Sequence, residues 1–374
     1  MGFFSLYCGK EIDLKKIIVS VTNDLSTDQR VEKVCNTLFN AGYEILLVGK
    51  KDTNSKPLLR NYRTKRIKVF FKKSILFYAE FNIKLFFILL FTKKDIFLSN
   101  DLDTLLPNYI ASLLQDKKII YDSHELFSEV PELVNRPFAK NFWLRLERQI
   151  LPKLKNTYTV CDSIANFYNT KYDTNFKTII NSPNKKEVTT SSFPFTYKDE
   201  KIILYQGAIN IGRGLELIIN TMPFLKNCIL VIIGEGDIFE SLKKKVTVKE
   251  LHHQIYFLGK LNPNELHQLT PLADLGISIE EDLGLNYRFA LPNKILDYIQ
   301  AEVPILVSNL PEMKKIVIDY KVGEIVYQRE PKKLAHQIKQ TLAKDFTKEL
   351  KNAKEKLIWE HQETKLLAIF KNAK

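Results

Sequence analysis

The residues best suited to chemistry stand in one segment of the second half, Leu291-Pro292-Asn293-Lys294-Ile295-Leu296-Asp297-Tyr298-Ile299-Gln300. Pro292 suits the first turn of a helix, where its missing N–H costs nothing. On that helix Lys294 and Asp297, three apart, share a face. A cation near the helix N-terminus can address a diphosphate, and an acid one turn on can address a ribose diol. A surface helix decorated by a salt bridge would carry the same pair. Upstream, Tyr205-Gln206-Gly207-Ala208-Ile209-Asn210-Ile211-Gly212-Arg213-Gly214 runs from a strand into a helix beginning near Leu215. Gly207, Gly212 and Gly214 let backbone approach a ligand, and the helix N-terminus favours an anion. Arg213 would add a charge-assisted phosphate contact of roughly 1.5 to 3 kcal/mol; glycine-rich turns of this kind also arise for packing alone. In Ile232-Ile233-Gly234-Glu235-Gly236-Asp237 the glycines can pass a nucleotide base, or form a tight turn with Asp237 as N-cap.

The first half offers a different set. After the first strand come Asn23, Asp28 and Arg30, able to meet hydroxyls or an anionic acceptor, although Ser26 and Asp28 would serve equally as helix caps. No glycine lies between Lys16 and Asn40, where a dinucleotide-binding enzyme would need a glycine-rich turn, so hydride transfer loses ground. Asp101 and Asp103 follow a later strand and are further acceptor-site candidates. His124, in Asp122-Ser123-His124-Glu125, stands directly at a strand end; such a histidine is either a structural hydrogen-bonder or a catalytic group. Cys8, Cys35, Cys161 and Cys228 are scattered singly, without zinc or disulfide spacing, so no metal is expected.

These residues need elements to position them. At 374 residues the chain is long enough for about two domains. Apolar, β-branched runs at 16–21, 44–48, 68–71, 95–99, 118–121 and 158–160 alternate with helix-length segments, and the rhythm restarts at 201–205, 228–233, 254–257, 274–279, 304–307 and 324–326. This predicts parallel βαβ units and two Rossmann-like, doubly wound sheets facing across a cleft, with ligands outside the carboxyl ends of the strands. Residues 181–200, with Pro183, Pro194 and several Ser and Thr, read as the interdomain linker, and the tail from Pro331 as helical.

The formal charge is +13, a surplus that attracts anions. It is concentrated in residues 56–94, where Lys56, Arg60, Arg63, Lys65, Arg66, Lys68, Lys72, Lys73, Lys84, Lys93 and Lys94 face one acid, Glu80, and interleave with phenylalanines. The segment reads as a buried helix flanked by solvated lysines or as a surface that docks on an acidic membrane. The apolar run Leu85–Phe91 is too short to span a bilayer, for which about 20 residues are needed. The N-terminus lacks a signal-peptide pattern, so a cytoplasmic protein is expected.

Over nearly its whole length the sequence resembles the family 4 glycosyltransferases, on the strength of Asp297-Tyr298-Ile299-Gln300-Ala301-Glu302-Val303-Pro304-Ile305-Leu306, an acid-led helix followed by a turn and a proline-led strand. The resemblance implies the GT-B fold, with an acceptor-binding domain over 1–185, a linker over 186–200, a nucleotide-sugar domain over 201–350 and a C-terminal helix over 351–374 packing back on the first domain. It implies that Asp297 takes the ribose-binding place, that Arg213 with Gly214 takes the phosphate-binding place, and that His124 contacts the donor sugar. Two family residues are replaced, one by Phe289 and one by Ala208. Glu281, in a longer loop ending at Gly284, and Lys294, in a helix opening Pro292-Asn293-Lys294, are expected to stand in for them. The implied activity is retaining transfer of a sugar from a nucleotide sugar to a glycan or lipid-linked acceptor in surface polysaccharide or lipopolysaccharide assembly, with no metal, no cofactor and no nucleic acid. A sugar-nucleotide epimerase of the same architecture and a catalytically silent membrane-associated binding protein are the alternatives.

Overall fold

The computed structural model of the protein describes residues 14–53, 55, 57–72, 74–134 and 136–373; Cys8, Lys56 and Lys73 lie outside the described residues. The strands β1 (Lys16–Asp24), β2 (Glu44–Lys51), β3 (Arg63–Lys68), β4 (Ile96–Asn100), β5 (Lys118–Ser123), β6 (Asn156–Thr159) and β7 (Lys177–Thr178) form one sheet in the order β3-β2-β1-β4-β5-β6-β7. The strands β8 (Lys201–Gln206), β9 (Cys228–Ile233), β10 (Ile255–Gly259), β11 (Leu275–Ser278), β12 (Ile305–Ser308) and β13 (Gly323–Val326) form a second, ordered β10-β9-β8-β11-β12-β13. Both sheets are parallel. Each reverses its strand order once, between β1 and β4 and between β8 and β11, which is the doubly wound arrangement.

Alternation along the strands explains why helices cover both faces of the second sheet. Ile202 and Leu204 point into one core cluster with Ile295, Tyr298 and Ile299, whereas Ile203 and Tyr205 point into another with Leu215, Ile218 and Ile219. Residues in such strands are apolar on both faces, as their sequences are. The chain divides into two compact units. One comprises the described residues through His124 with Asn141–Thr157 and the end of the chain from Leu366, and the other comprises Glu125–Lys140 and Tyr158–Lys365.

Two local expectations shift. The third strand is Arg63–Lys68, not 68–71, because the apolar Val69-Phe70-Phe71 run only looks like a strand. The N–H groups of Phe70 and Phe71 are taken by the Glu80 carboxylate, 2.8 and 3.0 Å away, while the lysine- and arginine-rich β3 forms the edge of the sheet. Charged side chains are usual on such edges. The apolar helix is also longer than the Leu85–Phe91 run. It spans Ser74–Phe91, 18 residues, and is long and apolar enough to cross a membrane by length and composition. One stripe of it, Phe77, Phe81, Leu85 and Leu89, is buried against Ile18, Val48, Ile67 and Phe97 of the first sheet.

Candidate functional site

In the second unit the reversal point lies between β8 and β11, and Gly207 and Glu280 follow those strands. Glu280 is 1% exposed. Its Oε1 accepts a hydrogen bond from Lys294 Nζ at 2.9 Å and lies 3.9 Å from Arg213 Nη1, and its Oε2 accepts from Ser278 Oγ at 2.8 Å. Burial alone would raise this carboxyl, but Lys294, Ser278 and Arg213 together hold it below the usual carboxylate range. Two cations thus converge on one carboxylate and leave a net positive charge beside the strand ends. The Lys294 ammonium also sits 3.9 Å from the Tyr205 ring centroid, and the Arg213 guanidinium lies over the Tyr287 ring at 5.1 Å. Arg213 Nε is buried and has no hydrogen-bond partner. A buried donor in that state is a place where a ligand oxygen would be favourable.

The helix Asn293–Gln300 carries Lys294 into position because its other face is locked. The Tyr298 hydroxyl donates to Leu204 O at 3.0 Å and accepts from Gln206 N at 3.1 Å, while its ring covers Gly276. One turn after Lys294, Asp297 accepts from Gln206 Nε2 at 3.3 Å, and Gln206 in turn accepts from Thr270 Oγ1 at 2.9 Å. Asn293 is exposed at the helix start and accepts from Asn181 at 3.1 Å.

The glycines divide by role. Gly207 lies next to Lys294, whose Cε would stand 3.5 Å from a Cβ placed there. Gly214, with φ +74°, is the N-cap of the helix Leu215–Thr221 and lets it approach the end of β11, where a Cβ would meet Ile279 O at 2.2 Å. Gly234 joins the loops after β8 and β9, since a Cβ there would lie 1.9 Å from Gly207 O. Gly212 packs under Leu283, and its carbonyl accepts from Glu281 N at 2.8 Å.

Glu280, rather than Glu281, is the carboxylate beside Lys294 and Arg213. The Glu281 side chain lies 3.9 Å from Arg329, which braces the strand end by donating to Ile279 O at 2.9 Å. Glu280 follows the buried strand β11 by two residues, and its carboxylate folds back on Ser278 at the strand's end. Phe289 turns into the fold, its ring 6.2 Å from that of Phe167 and its carbonyl accepting from the Cys161 thiol.

In the first unit, His124 lies between two aspartates, Nδ1 3.2 Å from Asp101 and Nε2 3.2 Å from Asp122. Its backbone N–H donates to Asp101 Oδ1 at 2.8 Å. Asp122 is fully buried and gripped by Arg30 through two bonds of 2.9 and 2.8 Å. Burial would lower the His124 pKa, but Asp101 and Asp122 outweigh it and push it up to about 9. At neutral pH the ring is therefore an imidazolium, a hydrogen-bond donor and not a base. Two cations and two carboxylates make this cluster electrically balanced. Arg30 is 4% exposed and acts inside the fold. Asp28 caps the helix Gln29–Asn40 by accepting from Val31 N at 3.0 Å, and also accepts from Asn23 Nδ2 at 2.9 Å. These three acceptor-site candidates therefore hold one another or the sheet end.

Comparison with known proteins bears on both units. Residues 189–357 match the family described as glycosyl transferases, group 1. An uncharacterised glycosyltransferase of Methanocaldococcus jannaschii is 28% identical over 186 residues, 47% of this chain and 46% of the relative; the alignment thus spans about half the length of that curated protein. Among solved structures, sucrose-phosphate synthase from Thermosynechococcus elongatus superposes with a TM-score of 0.75 at 15% identity, covering 96% of this chain and 98% of its own. Anabaena HepE, solved with UDP and glucose, gives 0.75 at 13% identity, covering 96% of this chain and 100% of its own. The fold is GT-B, two Rossmann-like parallel-sheet domains.

Two predictions follow from the charge arrangement. Glu280→Gln keeps the shape but leaves Lys294 and Arg213 facing each other uncompensated, and removing one partner of a buried pair costs about 3 to 5 kcal/mol. Thermal unfolding should show a lower Tm, raised more by inorganic pyrophosphate in the variant than in the wild type; equal Tm and equal pyrophosphate shifts would remove the anion site. The His124 pKa is raised in the folded state, so its stabilising contribution is complete below its ordinary value of 6.5 and disappears as pH rises through about 9. The stability difference between wild type and His124→Gln should shrink across that window, and a pH-independent difference would contradict the imidazolium.

Proposed function

We propose, from the premise of a group 1 glycosyltransferase that the family match and the GT-B fold support, that this chain transfers a sugar from a nucleotide sugar to a hydroxyl acceptor. The observation that carries the reading is the pairing of Lys294 and Arg213 on the buried Glu280 at the reversal point of the second sheet. In our reading these cations hold the donor diphosphate, Asp297 and Asn293 face the nucleoside, and Gly207 leaves room for the phosphates. The bond between the anomeric carbon and the diphosphate oxygen breaks, the acceptor oxygen bonds to that carbon, and the acceptor proton passes to the departing diphosphate. Charge grows on the diphosphate as it leaves, and fixed cations stabilise it without reorganising. The chain's own cations serve in this role, so the proposal assigns no metal and no cofactor.

The finer points are proposals of the same kind. Transfer proceeds with retention, as in the family 4 enzymes that the sequence resembles. Residues 1–185 bind the acceptor, a glycan or lipid-linked sugar of surface polysaccharide or lipopolysaccharide assembly, and residues 201–350 bind the nucleotide sugar. Because HepE was solved with UDP and glucose, UDP-hexoses lead the donor panel. We assign the protein to the cytoplasm.

A panel of UDP-, GDP- and ADP-sugars read by thermal shift and by sugar release tests this. One nucleotide should stabilise the protein, by about 2.7 kcal/mol at a hundred times its Kd, with slow release of its sugar. Lys294→Ala should lower turnover by about 10²-fold or more, the typical effect of removing one donor from a developing anion. Stabilisation by none of the panel and unchanged turnover in the variant would overturn the reading, and conversion of the donor to an epimer with no acceptor would replace it by an epimerase.

A further inference from the structure

We infer that the outward face of the Ser74–Phe91 helix docks on an acidic lipid surface, lying in the interface without crossing it. Burial along this helix is two-sided. Phe77, Phe81, Leu85 and Leu89, spaced by four, are 0–7% exposed and face the first sheet. Ile75, Ala79, Ile83, Phe87 and Phe91, also spaced by four, form an outward stripe, with Ile83 60%, Phe87 53% and Phe91 84% exposed. Water therefore meets five turns of apolar side chains. The patch extends beyond the helix. Phe70 and Phe71 precede it, packed edge to face and both exposed, and Leu113 and Leu114 end the neighbouring helix Leu102–Leu114. Gln115 draws that helix end in by donating to Leu90 O at 2.8 Å. A contiguous apolar surface of this kind marks an interaction site.

The charges around the stripe choose the partner. Arg63, Lys65, Lys68, Lys72 and Lys93 are all exposed. The single acid between residues 57 and 94, Glu80, is neutralised within the fold by Lys84 at 2.5 Å and by the N–H groups of Phe70 and Phe71, which hold its pKa down to about 2. Lys94 turns inward to the carbonyls of Leu89 and Thr92 and belongs to the helix end, not to the rim. Phenylalanine and aliphatic side chains rimmed by lysines suit the boundary between headgroups and acyl chains of an anionic bilayer. The helix stays in the plane because crossing would strip its inner stripe from the sheet.

Co-sedimentation with phosphatidylcholine vesicles, with and without phosphatidylglycerol, tests the surface independently of any transferase activity. The wild type should pellet with the anionic vesicles alone, and less so at high salt. Phe87→Glu with Phe91→Glu should abolish pelleting while leaving the Tm unchanged, since both side chains are exposed, and Lys72→Glu with Lys93→Glu should weaken it about tenfold or more. Failure of the wild type to bind anionic vesicles, or unchanged binding by the phenylalanine variant, would overturn the inference. So would a dimer in solution that the phenylalanine variant dissociates in a protein that ignores vesicles, because the face would then belong to a second copy.

Discussion

Removing the Glu280 carboxylate from water is unfavourable unless cations meet it, and that requirement organises the second unit. Lys294 must reach it from the helix Asn293–Gln300, and Arg213 from the loop after β8. The helix in turn is fixed by Tyr298, whose hydroxyl ties it to β8 while its ring lies on a glycine of β11. The turn after β8 needs Gly214 so that the next helix can approach the same strand end. One buried charge thus sets the partners of two loops and a helix. Because two cations answer one carboxylate, an uncompensated positive charge remains for an incoming anion.

The first unit solves a similar problem differently. Asp122 is as deeply buried as Glu280, but Arg30 grips it through two bonds and His124 adds a second cation, itself balanced by Asp101. The cluster is neutral, rigid and closed on itself. Its positive members are thus matched within the fold, whereas the second unit sets two cations against one carboxylate. The proposed function rests on this difference: the second unit's cluster carries a charge surplus and the first unit's does not.

Much of the fold was legible because doubly wound sheets are apolar on both faces and advertise each strand as a short β-branched run. The third strand was not. Arg63–Lys68 is an edge strand with polar side chains, and the nearby Val69-Phe70-Phe71 run carries the stronger signal. The two-residue β7 was too short to read. Spacing and helix starts drew attention to Lys294 and Arg213, which the structure brings onto one carboxylate, and a strand-end position drew attention to His124, which it sets between two aspartates. Which of the adjacent Glu280 and Glu281 meets which cation was not legible: Glu280 turns to Lys294 and Arg213, and Glu281 lies toward Arg329. Arg30 and Asp28 looked available for an acceptor because sequence shows a charge but not its partner; one is bound to Asp122, 92 residues on, and the other caps its own helix. The apolar segment was read as either core or docking surface, and burial divides it along the helix into a stripe packed on the sheet and a stripe left exposed.

The central claim, that the Lys294–Glu280–Arg213 cluster is a diphosphate site, is tested most directly by calorimetric titration of the full chain with the nucleoside, nucleoside monophosphate and nucleoside diphosphate of one base. The account predicts that the second phosphate tightens binding by about tenfold or more, as charge-assisted hydrogen bonds to two cations should, and that Lys294→Ala erases that gain. Equal affinity for the monophosphate and the diphosphate, or a gain that survives in Lys294→Ala, would contradict it.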